Sequence, residues 1–167
     1  MNIWHDIDQS KIREDDFYAV IEISKGSKNK YELDKDTGLI MLDRILYTST
    51  HYPANYGFIP LTYANDLDPL DVLVLCSEAL VPVSLVRCYP IGVIRMIDGK
   101  YDDDKIIAIP YNDPNMNHYK TLDDVPKHMI SEIEHFFMVY KNLEHKSTTG
   151  FKLEGKKQAM GDRKSVV

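Results

Sequence analysis

Short runs of strand-forming residues, each ended by a turn, fill the first two-thirds of this 167-residue chain. Strand formers occupy residues 17–23 and lead into a Gly-containing turn. Further strands are predicted at 30–33, 39–46, 72–76, 84–88, 91–97 and 105–109. Gly, Pro or Asp bounds these runs. Short strands at this density predict a small barrel or sandwich.

The chain then changes to a helical pattern. From residue 126 to about 143, apolar side chains recur at three- and four-residue steps, which predicts one long amphipathic helix. The following segment, about 156–167, contains helix formers but is interrupted by glycine, so we expect it to be frayed. No linker or repeat divides the sequence. We therefore expect a single domain, 1–167, that is mainly β with flanking helices (α+β).

Bulk composition excludes several classes of protein. The net charge is −6, which disfavours a nucleic-acid binder that relies on a basic surface. No apolar run approaches the roughly 20 residues of a membrane span, and the first residues lack the order of a signal peptide. Cys76 and Cys88 both lie in apolar runs and are expected to be buried free thiols. A cytoplasmic location fits these features.

An acidic cluster precedes the apolar run 72–76. Asp66, Asp68 and Asp71 place three carboxylates within six residues. Two carboxylates a few ångströms apart repel by on the order of 4 kcal/mol at an effective dielectric near 20. Hard divalent cations such as Mg²⁺ take carboxylate ligands and would remove this cost. A solvated turn is the alternative, because Asp and Pro also favour turns.

Other polar positions extend this pattern. Asp98 and residues 102–104 form a second acidic group at a strand end, where a charged hairpin tip is the alternative interpretation. Lys30 and Glu32, two apart on a strand, are predicted to project from one face. For these two residues, and for Glu22 and Arg44, surface ion pairing remains open.

Aromatic residues surround the same region of sequence. Residues 52–60 form an extended, proline-braced segment that leads into the acidic cluster and contains Tyr52 and Tyr56. Tyrosine can pack its ring and still offer a hydroxyl group to a polar ligand. On the predicted helix, Tyr140 faces inward by periodicity and Lys141 follows it. Core packing is the alternative for the tyrosines, and a solvated surface position for Lys141.

Several common motifs are absent. An EF-hand loop counted from Asp66 would need Gly and Glu where this chain has Asp71 and Ser77. No G-x-x-x-x-G-K-[ST] loop, histidine zinc pattern or G-x-S-x-G elbow occurs.

The order of these residues resembles the family I soluble inorganic pyrophosphatases, of the small bacterial type, over about residues 10–155. The segment D-x-D-P-x-D at 66–71 carries the resemblance together with the upstream tyrosine box at 52–60 and the positions that follow. The resemblance implies an OB-like five-stranded β-barrel. It also implies Mg²⁺-dependent hydrolysis of inorganic diphosphate to two phosphates, by in-line attack of a metal-bound hydroxide.

The resemblance also implies a role for each site residue. Asp68 would be the general base of catalysis. The metal ligands would be Asp66, Asp71, Asp98 and Asp103. The substrate-binding residues would be Lys30, Arg44, Tyr56, Lys105, Tyr140 and Lys141. Glu22, Glu32 and Tyr52 would support them.

Cofactors and partners follow from the same resemblance. Several Mg²⁺ ions per site are expected, with Mn²⁺ or Zn²⁺ as substitutes. Inorganic diphosphate is the expected partner, and neither nucleic acid nor a membrane is expected as one. The chain is expected to form a homo-oligomer, namely a hexamer. The chain departs from the family pattern at Gly99 and Asp104 and in its short final segment.

Two other functions remain as alternatives. A non-catalytic OB-type module could bind nucleic acid by stacking bases on the aromatic residues, although the acidic balance disfavours it. A divalent-cation-binding protein without enzyme activity would explain the aspartates, but it leaves Lys30, Arg44 and Lys141 without a role.

Overall fold

The structure, a computed structural model, describes residues 6–62, 69–98, 101–143 and 148–163, and of these it leaves out the side chains of 98, 101, 141–143, 148–151, 162 and 163. The strands are β1 (Phe17–Ile23), β2 (Asn29–Leu33), β3 (Ile40–Ile45), β4 (Asn55–Ile59), β5 (Leu70–Val74), β6 (Leu85–Asp98), β7 (Tyr101–Asp102), β8 (Lys105–Pro110) and β9 (Thr148–Gly155). The helices are α1 (Lys127–Leu143) and α2 (Lys156–Arg163).

Five strands close into a barrel. They are paired in the order β1-β4-β5-β8-β6, and β6 pairs back onto β1. All of these pairings are antiparallel except that of β5 with β8, which is parallel. Strands β7 and β9 extend the sheet from β6, while β2 and β3 form a separate two-stranded ribbon. The predicted five-stranded, mainly β architecture is confirmed.

The barrel strands are apolar on both faces because both faces are covered. In β8, Ile106 and Ala108 belong to one hydrophobic cluster, and Ile107 and Ile109 to another. Helix α1 buries Ile133, Phe136 and Phe137 in the second of these clusters. Its bounds agree with the predicted long helix. No helix among the described residues has both the length and the apolar character needed to cross a membrane.

Strand β6 runs unbroken where two strands were predicted. Pro90 suggested a boundary between 84–88 and 91–97, but one 14-residue strand covers both runs. The register on β8 shifts between Pro90 and Gly92. A bulge tolerates proline, which has no N–H for the ladder. The proline therefore marks an irregularity within a strand, not its end.

Other strands also differ from the prediction, among them β4 and β9. The extended segment 52–60 contains β4, which lies between β1 and β5 in the barrel. Gly57 makes this possible, because a Cβ there would lie 1.8 Å from the carbonyl oxygen of Val20 on β1. Strand β9, which the sequence did not predict, pairs with β6.

The prediction of a frayed end is wrong for residues 156–163. Helix α2 occupies this segment, and Ala159 is completely buried in a hydrophobic cluster with residues of the barrel. Glycine inside a helix costs about 1 kcal/mol relative to alanine. Burial of Ala159 offsets the cost of Gly161. Residues 164–167 lie outside the described part of the chain.

Candidate active site

Lys105 occupies the centre of a buried polar group at the start of β8. The parallel pairing of β5 with β8 places Lys105 opposite Asp71. Its Nζ donates to Asp71 Oδ2 at 3.2 Å, to Asp103 Oδ1 at 3.1 Å and to the Tyr56 hydroxyl at 3.0 Å. Only 3% of the residue is exposed. Burial by itself would lower the pKa of this ammonium group, but the two carboxylates outweigh burial and raise it. Lys105 is therefore a fixed cation.

Asp71 and Asp103 share this cation. Burial raises the pKa of Asp71; Lys105 counteracts that rise, and the charge of Asp103 adds to it. The Tyr56 hydroxyl also hydrogen-bonds to Asp71, and burial beside the two carboxylates raises the pKa of this phenol well above its usual range. The two carboxylates carry two negative charges, and Lys105 Nζ supplies only one positive charge to balance them. A divalent cation would bind favourably beside them.

Glu22 lies on β1, close enough to Asp71 for the two charges to interact. Its Oε2 accepts a 2.8 Å hydrogen bond from the backbone N–H of Leu33 on β2. Burial raises the pKa of Glu22 to about 8, and although this hydrogen bond opposes the rise, the charges of Asp71 and Glu32 add to it. The acidic side of the site thus includes Glu22 as a third carboxyl group, and burial disfavours the charged form of Glu22.

A group of basic side chains stands on the β2–β3 ribbon. The register pairs Lys30 with Arg44. Asp43 Oδ2 accepts from Lys30 Nζ and from Arg44 Nη1, both at 2.9 Å. Arg44 Nη2 donates to the Tyr140 hydroxyl on α1 at 2.7 Å, and Lys30 Nζ lies 3.3 Å from Glu32 Oε1. Burial would lower the pKa of Lys30, but the hydrogen bond to Asp43 and the charges of Tyr140 and Glu32 together outweigh burial and raise this pKa.

Aromatic rings connect the acidic and basic groups. Tyr52, which is 3% exposed, has its ring centroid 5.4 Å from that of Tyr56 and 4.7 Å from that of Phe136. The rings of Phe136 and Tyr140 stack at 5.6 Å. Burial, with the neighbouring Tyr140, raises the pKa of Tyr52 well above its usual range. These packed rings hold α1 against the barrel and fix the hydroxyl groups in the site.

The structure brings most of the predicted site residues into one linked group. These are Glu22, Lys30, Glu32, Arg44, Tyr52, Tyr56, Asp71, Asp103, Lys105 and Tyr140. Asp66 and Asp68 lie outside the described residues, as do the side chains of Asp98 and Lys141. Within the described part of the chain, no three or more His, Cys, Asp or Glu side chains already form a metal-binding group. Asp71 and Asp103 supply hard oxygen donors that fit Mg²⁺.

Asp43 is a site residue that the sequence analysis missed. It contacts both Lys30 and Arg44 and joins them into one unit. Its signal in the sequence was its place directly before Arg44 on the predicted strand 39–46. Phe136 is one of the apolar residues of the predicted helix, and its contacts with Tyr52 and Tyr140 add a role in the site.

Comparisons with known sequences agree on one family. A family profile described as "Inorganic pyrophosphatase" matches residues 19–165. The chain is 45% identical over 144 residues to an inorganic pyrophosphatase of Haloferax volcanii, an alignment that covers 86% of this chain and 81% of the relative. It is 50% identical over 143 residues to soluble inorganic pyrophosphatase 2 of Chlamydomonas reinhardtii, covering 86% of this chain and 74% of the relative.

Solved structures show the same fold. An inorganic pyrophosphatase from Thermus thermophilus matches with a TM-score of 0.92 and 36% identity, covering 99% of this chain and 97% of that one. One from Helicobacter pylori matches with a TM-score of 0.87 and 43% identity, covering 93% of each chain.

Proposed function

Because this chain belongs to the inorganic pyrophosphatase family, we propose that it hydrolyses inorganic diphosphate to two phosphates and requires Mg²⁺ to do so. One observation carries the proposal. A carboxylate group around Lys105 and a cationic group of Lys30 and Arg44 are joined by the rings of Tyr52, Tyr56 and Tyr140. The first suits divalent cations, and the second suits phosphoryl oxygens.

The metal ions belong on the acidic side. Asp71 and Asp103 would hold Mg²⁺ together with Asp66 and Asp98, and Mn²⁺ or Zn²⁺ would substitute. When bound, the ions supply neutralisation of the diphosphate charge and a lowered pKa for the attacking water. Glu22 and Glu32 would support this half of the site.

The chain's own donors bind the substrate. Arg44 presents a planar guanidinium that is already oriented by Asp43 and the Tyr140 hydroxyl, so little side-chain freedom is lost when it binds a phosphoryl group. Lys30, Tyr56, Lys105 and Lys141 would add further donors. These donors stabilise the negative charge that spreads over the equatorial oxygens during transfer. Asp68 is proposed as the general base that orients and deprotonates water.

Measuring phosphate release tests this function directly. Release from diphosphate should require Mg²⁺ and should stop when the metal is chelated. Asp68→Asn should still bind Mg²⁺ but lose most of the turnover. Absence of Mg²⁺-dependent release from the unmodified protein would contradict the proposal.

The two alternative functions make different predictions. A divalent-cation-binding protein would bind Mg²⁺ with no diphosphate turnover. A nucleic-acid-binding module would retard single-stranded oligonucleotides in a gel in a salt-sensitive way. The net charge of −6 and the carboxylates of the candidate active site stand against the second alternative.

Assembly and location are part of the proposal. By resemblance to the small bacterial-type members we propose a homohexamer, which light scattering would size. We also propose a single domain over 1–167, a cytoplasmic location and no nucleic-acid or membrane partner. Cys76 and Cys88 are buried and free, as predicted, which suits a reducing compartment.

A further inference from the structure

Arg95 on β6 joins two acidic side chains outside the candidate active site. Its Nη1 donates to Asp104 Oδ2 at 2.7 Å, and its Nε donates to Glu154 Oε2 on β9 at 3.1 Å. The Arg95 side chain is 29% exposed and that of Asp104 is 17% exposed. Ion pairs of this partial burial and short distance hold their partners more firmly than fully exposed ones do.

Asp104 lies between two residues of the candidate site. Asp103 and Lys105 contact each other through Oδ1 and Nζ at 3.1 Å, whereas Asp104 contacts Arg95. Side chains that alternate along an extended chain point to opposite faces. Fixing Asp104 on one face therefore fixes the direction in which its two neighbours point.

Two contacts tie the segment that contains Asp103 and Asp104 to β6. Asp103 and Asp104 lie between β7 and β8 and belong to neither strand. The backbone N–H of Asp103 donates to the carbonyl oxygen of Met96 at 2.8 Å, next to Arg95 in the same strand. This hydrogen bond and the Arg95–Asp104 ion pair both tie the connection to β6.

From this geometry we propose that Arg95 and Asp104 are positioning residues for divalent-cation binding, because their ion pair orients Asp103 and Lys105. The inference rests on the proposed function, since it assigns Asp103 to the metal site. Partners that orient metal ligands typically change metal affinity by about 10- to 100-fold when they are removed. We expect a weakening in that range for either partner.

The sign of the effect separates positioning from simple electrostatics. If Asp104 and Arg95 acted only through their charges, Asp104→Asn would weaken Mg²⁺ binding and Arg95→Gln would strengthen it. If they act by positioning, both substitutions weaken binding. The double variant should be no weaker than the poorer single variant, because either change alone already breaks the pair.

Calorimetric titration of Mg²⁺ into the full chain without diphosphate provides the measurement. The variants are Arg95→Gln, Asp104→Asn and the double variant, each checked by circular dichroism and thermal unfolding. Asp16→Asn is the matched control, since it breaks a similar pair on the same strand, with Arg87 Nε and Nη2 at 2.9 and 2.6 Å from the Asp16 carboxylate. It should leave the Mg²⁺ affinity unchanged.

The outcomes distinguish the two proposals. Weaker binding in both single variants, with normal binding in the control, supports positioning. If the unmodified protein binds Mg²⁺ and turns over diphosphate while Arg95→Gln binds Mg²⁺ equally or more tightly, positioning is overturned and the proposed function stands. If Arg95→Gln does not fold, unchanged binding in Asp104→Asn overturns positioning in the same way. An unmodified protein that neither binds Mg²⁺ nor turns over diphosphate overturns both.

Discussion

Lys105 and Asp71 lie opposite each other on the parallel strands β8 and β5, with Nζ 3.2 Å from Oδ2. Lys105 also lies within 5.5 Å of the ring centroids of Tyr56 and Phe137. A buried ammonium group surrounded by carboxylates and aromatic faces stabilises the site before any divalent ion binds.

Replacing Lys105 should therefore leave Asp71 and Asp103, whose side chains are 29% and 14% exposed, as uncompensated, partly buried charges. We expect Lys105→Met to lower the free energy of unfolding by about 1–3 kcal/mol in metal-free buffer. Millimolar Mg²⁺ should restore part of this loss, because it supplies positive charge to the same carboxylates. Urea unfolding with and without Mg²⁺ measures both effects. Lys25→Met, at an exposed lysine, is the control and should change stability little. An equal, metal-independent loss in both variants would contradict this account.

Arg44→Lys should impair substrate binding in particular. A lysine cannot keep the hydrogen bonds to Asp43 and to the Tyr140 hydroxyl and also present two parallel donors to a phosphoryl group. Hydrogen bonds to charged groups contribute about 1.5–3 kcal/mol, so kcat/KM for diphosphate should fall by about 10-fold or more. Steady-state kinetics at saturating Mg²⁺ measures the change. The control is Arg87→Lys, which alters an arginine that pairs with Asp16 outside the candidate site and should keep kcat/KM. Equal losses of kcat/KM in Arg44→Lys and Arg87→Lys would contradict the assignment of Arg44 as a substrate-binding residue.

Gly57→Ala should destabilise the barrel next to Tyr56. The new Cβ would meet the backbone of Val20 at 1.8 Å, and a backbone atom cannot move away without separating β1 from β4. Overpacking of this kind costs about 1–3 kcal/mol or more. Gly161→Ala in α2 is the matched control, since nothing lies within 4 Å of its added Cβ. That control should gain about 0.5–1 kcal/mol. Thermal unfolding of both variants measures the two changes in stability. A change of the same sign in Gly57→Ala and Gly161→Ala would contradict the close packing at Gly57.

Asp113 should make stability fall at low pH. Its carboxylate accepts hydrogen bonds from the N–H and hydroxyl groups of Ser77 at 2.6 and 3.0 Å and from the N–H of Asn115 at 3.0 Å. Burial would raise the pKa of Asp113, but these hydrogen bonds outweigh it and lower the pKa.

The lowered pKa of Asp113 determines the direction in which stability changes with pH. Stability from the ionised Asp113 is fully present above the unfolded-state pKa of about 3.9, and it is lost as the pH falls through the lower folded-state pKa. At pH 7, Asp113→Asn should cost about 1–3 kcal/mol. The difference from the unmodified protein should shrink below about pH 4. Urea unfolding from pH 7 to 3 measures it, with Asp36→Asn as an exposed control. A difference that does not change with pH would refute the ionic origin.

Local sequence patterns predicted the elements that carry a strong local signal. Strand β1 has the predicted bounds because Phe17–Ile23 is a continuous run of strand formers. Helix α1 has seven apolar residues at helical spacing and likewise agrees. Strand β9 was missed because its alternating stretch is short and its pairing with β6 depends on residues far away in the sequence. Pro90 misled the prediction of β6 because the bulge that accommodates it requires a partner strand.

The sequence predicted which residue types form the site better than it predicted the contacts between them. Lys30 and Glu32 share a face through strand periodicity, and they are in contact. Asp71 and Lys105 meet only because β5 and β8 pair in parallel, a relationship between strands 34 residues apart that local patterns do not encode. The pairing of Asp104 with Arg95 depends in the same way on tertiary structure. The sequence analysis assigned no role to Asp104.

Strand β6 contacts β1, β7, β8 and β9, and it contributes to the two hydrophobic clusters that cover the faces of β8. Among the strands that the structure describes, β9 pairs with β6 alone. Amide protons along the centre of β6 should therefore exchange with solvent only when the whole molecule opens. The described strands that are joined through β6 should therefore unfold together. The catalytic groups that depend on β6 should keep their positions until the global fold is lost.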